Sequence, residues 1–187
     1  MKKEYLVYLL FSHSGSTFSR AINLFTDHPY THVSIALDEN LDQVYSFGRL
    51  NPYNPFFAGF VREDIHYGTF SRFPNTTCSV YALKITEEQY TSITKEIDRF
   101  RFEGHKYTYN FLGILTATAN YPLSRKYKYF CSQFVSEVFL KSGIELTQKH
   151  PGLTSPMDIL EYGELEPVFS GYLREYRQPQ LEVAIAG

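Results

Sequence analysis

The chain has 187 residues, of which 43% are hydrophobic and 20% charged, and its formal net charge at pH 7 is −2. This composition excludes an intrinsically disordered chain, and it lacks the basic character of a nucleic-acid-binding protein. No apolar run approaches the roughly 18 residues that span a bilayer. The apolar run over residues 5–11 is too short for a signal peptide, and polar residues follow it directly. The sequence therefore predicts one domain, residues 1–187, in a cytoplasmic protein.

The first part of the chain predicts a strand, a helix and two further strands. Residues 5–11 form a continuous apolar run that is typical of a buried strand. Apolar residues at helical spacing over 18–25 predict a short amphipathic helix, and residues 31–37 and 43–47 predict two strands joined by a turn. Residues 48–74 contain three prolines, three glycines and seven aromatic residues. They predict a long irregular segment. This segment either forms one wall of a substrate-binding cleft or is a covering flap whose aromatic side chains are buried within the flap itself.

The second part of the chain predicts helices and closing strands. Residues 78–85 resume the alternation of a strand, and Thr86 and Gln89 then have the spacing of a capping box at a helix start. Further helices are predicted over residues 110–119, 131–142 and 155–162. Two short strands are predicted near Val168 and near Tyr172, with a turn between them. These elements predict an α+β domain.

Cys131 is the strongest candidate for a catalytic residue in this sequence. It opens a predicted helix whose free amides and dipole favour the thiolate over the thiol. A thiolate is a nucleophile, and the same amides are suited to stabilise an oxyanion. The alternative is that Cys131 is simply a small buried residue. With only one other cysteine, Cys78, the sequence predicts two free thiols.

A thiolate nucleophile needs a base, and histidine has a suitable pKa. Of six histidines, only His32 lies on a predicted strand, where a rigid backbone can aim the ring. The alternative for His32 is a ring that only hydrogen-bonds within the sheet. His28 and His32 are four residues apart, but Pro29 prevents the helix that would place both on one face for zinc binding. The sequence predicts neither a metal nor another cofactor.

Four short motifs follow one another along the chain: Leu-Leu-Phe at residues 9–11, Phe-Ser-Arg-Ala-Ile at 18–22, Tyr-Thr-His-Val-Ser-Ile at 30–35 and Phe-Cys-Ser-Gln-Phe-Val at 130–135. Their order, with the histidine strand about a hundred residues before the cysteine helix, resembles the circularly permuted NlpC-type papain-like family. The YiiX- and YaeF-like bacterial proteins are the branch it resembles most. The resemblance implies a permuted papain-like fold, in which an antiparallel sheet packs against helices that include the cysteine helix.

The resemblance also implies roles for individual residues. Cys131 is expected to be the nucleophile and His32 the general base, with a polar third residue on the neighbouring strand that orients the imidazole. Related proteins usually carry Glu, His, Asn or Gln at the third place, whereas Ser46 aligns there in this chain. A serine hydroxyl can accept the ring N–H, but it lacks the charge of a carboxylate and stabilises an imidazolium less.

Two functions follow from these residues. The first is a cysteine-dependent hydrolase, an amidase, peptidase or ester hydrolase that works through an acyl-enzyme, with acyl transfer to another acceptor as a variant. The second is a non-catalytic module that binds a peptide, an amino acid or a lipid beside residues 48–74. In either case the expected partner is a small-molecule, peptide or lipid-type ligand, and not a nucleic acid.

Overall fold

The computed structural model describes residues 4–16 and 29–176, so the helix predicted over 18–25 lies outside the described residues. In chain order the described elements are β1 (Tyr5–His13), β2 (His32–Ala36), β3 (Val44–Asn51), β4 (Asn54–Glu63), α1 (Gly68–Arg72), β5 (Thr77–Ile85), α2 (Glu87–Phe102), β6 (Thr108–Tyr109), α3 (Phe111–Thr118), β7 (Lys128–Tyr129), α4 (Cys131–Lys141), α5 (Pro156–Leu160) and β8 (Glu166–Tyr172). None of these helices has both the length and the apolar character needed to cross a bilayer.

The strands form a six-stranded antiparallel sheet in the order β4-β3-β2-β1-β5-β8. In β1, Leu9 lies opposite Ile35 of β2 and opposite Tyr81 of β5. Successive side chains point to opposite faces, so Leu9 and Leu10 belong to two different cores. β6 and β7 form a separate two-stranded parallel ladder. The predicted α+β class, with an antiparallel sheet packed against helices, is confirmed.

Helices and loops cover both faces of the sheet. The first face packs against α2 and α4, whose buried apolar side chains are Ile93, Ile97, Phe100, Phe134, Val135, Val138 and Phe139. Phe70 of α1 and Leu173 lie in the core on the second face. Because α4 is buried over most of its length, its first residue, Cys131, is held in a fixed position beside the sheet.

Several predicted elements are confirmed with small shifts at their ends. The strands predicted over residues 5–11 and 78–85 correspond to β1 and β5. At the start of α2 the capping box is present, because the Thr86 hydroxyl accepts from the Gln89 amide and the Gln89 side chain accepts from the Thr86 amide. α4 ends before Gly143, whose φ of +76° suits a residue without a side chain.

The structure corrects the prediction of an irregular segment over residues 48–74. β3 and β4 form a hairpin in which Asn51 lies opposite Asn54, and the short helix α1 follows. Pro52 and Pro55 interrupt the alternation that identifies strands in a sequence. One of them lies in the hairpin turn and the other at the start of the edge strand β4, where proline is tolerated.

The two closing strands predicted near Val168 and Tyr172 form one strand, β8. The turn predicted at Ser170 and Gly171 lies inside this strand, and both residues pair with β5. Serine and glycine are common in turns, but pairing with a neighbouring strand overrides that local preference here. The register shifts at Val168 of β8, which has no partner because Val80 and Tyr81 of β5 lie opposite Phe169 and Pro167.

Gly59 permits a close approach that positions the ladder of β6 and β7. A methyl group at residue 59 would lie 2.8 Å from the carbonyl oxygen of Tyr107. Such contacts are too short for a real side chain, so β4 and the backbone leading into β6 come together only because residue 59 is glycine. This approach places Tyr109, at the end of β6, beside the sheet.

Candidate active site

Cys131 lies at the first position of α4, where the amides of the first turn have no partners within the helix. The N-cap residue, Phe130, is extended and supplies no side-chain cap. The backbone N–H groups of Val33 and Ser132 hydrogen-bond the Cys131 sulfur. With Cys131 only 3% exposed, its thiol is enclosed between a helix terminus and strand β2.

The imidazole of His32 lies against this thiol. His32 is the first residue of β2, and its ring lies close enough to the Cys131 side chain for each group to shift the pKa of the other. α4 packs across β2 and β3, and this packing brings together two residues that are far apart in the sequence. A nucleophilic atom and a proton acceptor are therefore in direct contact, as general-base activation requires.

Glu63, which the sequence analysis did not select, lies on the other side of the imidazole. It is the last residue of β4, and its Oε1 is 2.8 Å from Nε2 of His32. Its Oε2 accepts a hydrogen bond of 2.5 Å from the Ser34 hydroxyl. The Glu63 carboxylate passes close to residue 48 of β3 on its way to His32. Residue 48 is glycine, and a Cβ atom at this position would lie only 3.1 Å from Oε1 of Glu63. The imidazole thus lies between a thiol and a carboxylate.

The structure does not place Ser46 at the imidazole. Ser46 is buried on β3, and its hydroxyl makes no hydrogen bond of acceptable geometry within the described part of the chain. It lies close enough to Glu63 to contribute slightly to the lowered pKa of that carboxyl group. The expected third position was on the strand next to β2, but the longer side chain of Glu63 reaches across β3 from the edge strand.

Burial and charge act in opposite directions on the three titratable groups. Burial lowers the pKa of His32, but the charge of Glu63 and the proximity of Cys131 raise it by more than burial lowers it. The pKa of His32 is therefore well above its ordinary value of 6.5. Burial raises the pKa of Cys131, but the hydrogen bond and charge of His32 leave it below its ordinary value of 9.0. For Glu63, burial raises the pKa and His32 lowers it, with a net decrease. The arrangement favours a thiolate–imidazolium pair.

Tyr109 is a second residue of this site that the sequence analysis missed. Its hydroxyl group lies beside the side chain and the backbone amide of Cys131. Burial, followed by the charge of Cys131, raises the pKa of Tyr109 well above its ordinary value of 10.0. The phenol therefore stays protonated and can donate a hydrogen bond beside the sulfur. No local sequence signal distinguishes Tyr109 from the other fifteen tyrosines.

A cleft opens beside the imidazole. His32, Glu63 and Tyr109 line it, together with Arg49 of β3. Cys131 is not among the described residues that line the cleft, but His32 and Tyr109, which lie beside its thiol, do line it.

Residues 48–74 form one side of this cleft. Pro55, Ala58 and Phe70 line it. Tyr53 and Phe56, in contrast, are 76% and 78% exposed at the hairpin. The segment is therefore part of the cleft wall, and these two rings are not buried as they would be in a self-covering flap.

No protein-family model matches the sequence, and no curated protein matches it. Among solved structures, the chain is similar to the crystal structure of metalloprotein YiiX from Escherichia coli O157:H7, with a TM-score of 0.56. The match covers 90% of this chain and 98% of that chain, at 16% sequence identity. The chain has a YiiX-like fold. At this identity the similarity bears on the fold alone.

The solved neighbour is described as a metalloprotein. Across residues 4–16 and 29–176 of this chain, no group of three or more His, Cys, Asp or Glu side chains is arranged so that it could hold a metal ion. His28, which the sequence analysis considered together with His32, lies outside the described residues. The described side chains thus do not fit a metal centre, and the chemistry of the site is derived from Cys131, His32 and Glu63.

Proposed function

We propose that this protein is a cysteine-dependent hydrolase with a permuted papain-like arrangement, acting on an amide or ester carbonyl. The observation that carries the proposal is that His32 lies between Cys131 and Glu63: it lowers the pKa of the thiol on one side, and its Nε2 is 2.8 Å from Glu63 Oε1 on the other. Nucleophile, base and orienting group in this order are the parts that acyl transfer through a covalent intermediate needs. The fold similarity to YiiX is consistent with the proposal but does not carry it.

In the first half of the reaction, the Cys131 sulfur attacks the carbonyl carbon of the substrate and forms a carbon–sulfur bond. The carbonyl electrons move to oxygen, and this oxyanion takes up hydrogen bonds from the α4 terminus and from the Tyr109 hydroxyl. When the tetrahedral intermediate collapses, the imidazolium of His32 donates its proton to the leaving nitrogen or oxygen. The products are the released amine or alcohol and a thioester on Cys131.

In the second half, water attacks the thioester while neutral His32 accepts a proton from it. The carbon–sulfur bond then breaks, and the acid product leaves with the thiolate–imidazolium pair restored. If an alcohol or an amine replaces water, the same steps transfer the acyl group to that acceptor. Glu63 keeps the imidazole in one orientation and stabilises its positive charge during both halves.

A pH series of alkylation tests this proposal. Iodoacetamide is expected to label Cys131 with a midpoint below pH 9.0, because His32 lowers the pKa of the thiol. In a His32→Gln variant the midpoint is expected to rise above that of the wild type, since burial still raises the pKa and the imidazolium is gone. The measurement is the rate of adduct formation at Cys131, followed by peptide mass spectrometry.

Identical midpoints in wild type and His32→Gln, both at or above the value of an ordinary thiol, contradict the proposal. In that case an activated ester should also leave no acyl adduct on the protein. A ligand that still binds to a Cys131→Ala variant would then favour the non-catalytic binding module.

The Tyr109 hydroxyl is expected to contribute to the acylation rate. A Tyr109→Phe variant loses one donor at the developing oxyanion, and acylation by an activated ester is expected to fall by about tenfold, the effect of one hydrogen bond to a charged group. The pH midpoint of alkylation is expected to change little, because the largest contributions that lower the Cys131 pKa come from His32 and two backbone amides.

Stopped-flow release of the leaving group measures the Tyr109 effect. A Tyr121→Phe variant is the matched control, because Tyr121 is 63% exposed and does not line the cleft. Unchanged acylation in Tyr109→Phe would assign the phenol a purely structural role.

A further inference from the structure

Arg49 is a half-buried cation in the wall of the same cleft. It follows Gly48 on β3 and lines the cleft together with His32 and Glu63. Its Nη2 donates a hydrogen bond of 2.5 Å to the Ser16 hydroxyl, and its guanidinium lies 5.2 Å from the centroid of the Phe73 ring. Both partners are uncharged, so these contacts hold the guanidinium in place without neutralising it.

Arg49 has a cationic neighbour but no carboxylate bonded to it among the described residues. Within the described residues no acidic side chain forms an ion pair with it. Burial, followed by the positive charge of Arg72, lowers the pKa of Arg49. A partly buried arginine beside a second cation is an unfavourable arrangement in the absence of an anion.

Arg72 is held in this neighbourhood by aromatic rings. It is the last residue of α1, and its guanidinium lies 4.1 Å from the Tyr53 ring centroid and 5.7 Å from the Phe73 ring centroid. Phe73 is also the ring beneath Arg49. One aromatic side chain therefore contacts both guanidinium groups and keeps them near each other.

The rest of the cleft wall suits an anion with an attached carbon chain. Five hydroxyl residues line it: Ser12, Ser14, Ser16, Thr31 and Thr69. Hydroxyl groups donate hydrogen bonds to carboxylate and phosphate oxygens, and a guanidinium presents a planar fork to the same groups. Phe70 and Phe111 supply apolar surface in the same cleft. The site thus combines one fixed cation, neutral donors and apolar surface.

We propose that the cleft takes substrates that carry a carboxylate or phosphate group, which Arg49 binds while the scissile carbonyl is presented to Cys131. The inference rests on the proposed function, because it assumes that the ligand reacts with the thiol. Arg49 and Tyr109 both line the cleft and Tyr109 lies beside Cys131, so the anion subsite lies near the reacting sulfur. Arg72 strengthens the attraction without binding directly.

Matched alkylating reagents test this subsite. N-iodoacetyl-β-alanine carries a carboxylate and its primary amide does not, whereas both react by the same displacement, in which the Cys131 sulfur bonds to the methylene carbon and iodide leaves. Relative to a small free thiol, the wild type is expected to prefer the carboxylate reagent by about tenfold. The preference is expected to disappear in Arg49→Gln and to remain in part in Arg49→Lys.

Two further comparisons test whether the preference depends on Arg49 itself and which anion is preferred. Arg101→Gln removes the same charge from an exposed arginine that pairs with Asp98 on α2, and it is expected to keep the wild-type preference. N-iodoacetyl-phosphoethanolamine, compared with N-iodoacetyl-ethanolamine, measures the preference for phosphate. The larger of the two preferences identifies which anion the site takes. Thermal unfolding of each variant checks that the fold is intact.

The outcomes separate the subsite from the proposed function. Rapid labelling of Cys131 with no preference for either charged reagent, in wild type and Arg49→Gln alike, overturns the subsite and leaves the activated thiol in place. Absence of labelling by every reagent overturns the proposed function. Calorimetric titration of N-acetyl-β-alanine and inorganic phosphate then decides the subsite, since binding that requires Arg49 supports it and absence of binding rejects it.

Discussion

Replacement of Cys131 by alanine is expected to abolish the covalent acyl adduct that an activated ester forms on the wild-type protein. Cys78→Ala is the matched control, because Cys78 is the only other cysteine and is also buried. Burial raises the pKa of Cys78 to about 12, and the described residues place no cation against it that would lower the value. Its thiol is therefore protonated at neutral pH and unreactive, so this variant is expected to retain full adduct formation.

Intact-protein mass spectrometry after a short incubation with the ester measures the adduct in both variants. An adduct of normal yield on Cys131→Ala would mean that another side chain is the nucleophile. Loss of the adduct in Cys78→Ala, with unchanged thermal unfolding, would equally contradict the assignment. Both substitutions remove one sulfur atom from a buried position, so any shared effect on packing is present in each.

A Glu63→Gln variant is expected to lower the rate of acylation on the order of ten-thousandfold, the loss when the carboxylate of a catalytic triad becomes an amide. Glutamine preserves the size of the side chain but removes its charge. The pKa of His32 is then expected to fall and the pKa of Cys131 to rise, because each charge stabilises the next. Ser46→Ala is expected to change the rate by less than about threefold, within the range of a neutral hydrogen bond.

The measurement is kcat and KM for an activated ester, together with the pH midpoint of thiol alkylation in each variant. The pKa of Glu63 is lowered in the folded protein, so its carboxylate is fully present at neutral pH and its contribution is lost as the pH falls through that lowered pKa. The acylation rate of the wild type is therefore expected to fall at acid pH, and the acylation rate of Glu63→Gln is expected to depend less on pH. Equal losses in Ser46→Ala and Glu63→Gln would restore the role that the family resemblance implies for Ser46.

The elements that could be predicted from the sequence are those with a strong local signal. The apolar runs of β1 and β5 and the capping box at Thr86 each depend on residues within a few positions of one another. The β3–β4 hairpin was missed because Pro52 and Pro55 disturb the local pattern. Its pairing depends on contacts between strands, which a window of a few residues does not contain.

The same distinction applies to the site. The sequence by itself determined that Cys131 begins a helix and that His32 begins a strand, because helix starts and strand patterns depend on neighbouring residues. Only the tertiary structure decided that Glu63, and not Ser46, contacts the imidazole, and that Tyr109 lies at the sulfur. The physical reason is that these contacts depend on sheet order, on side-chain reach across a strand and on close packing at glycines, all of which arise between segments distant in the chain.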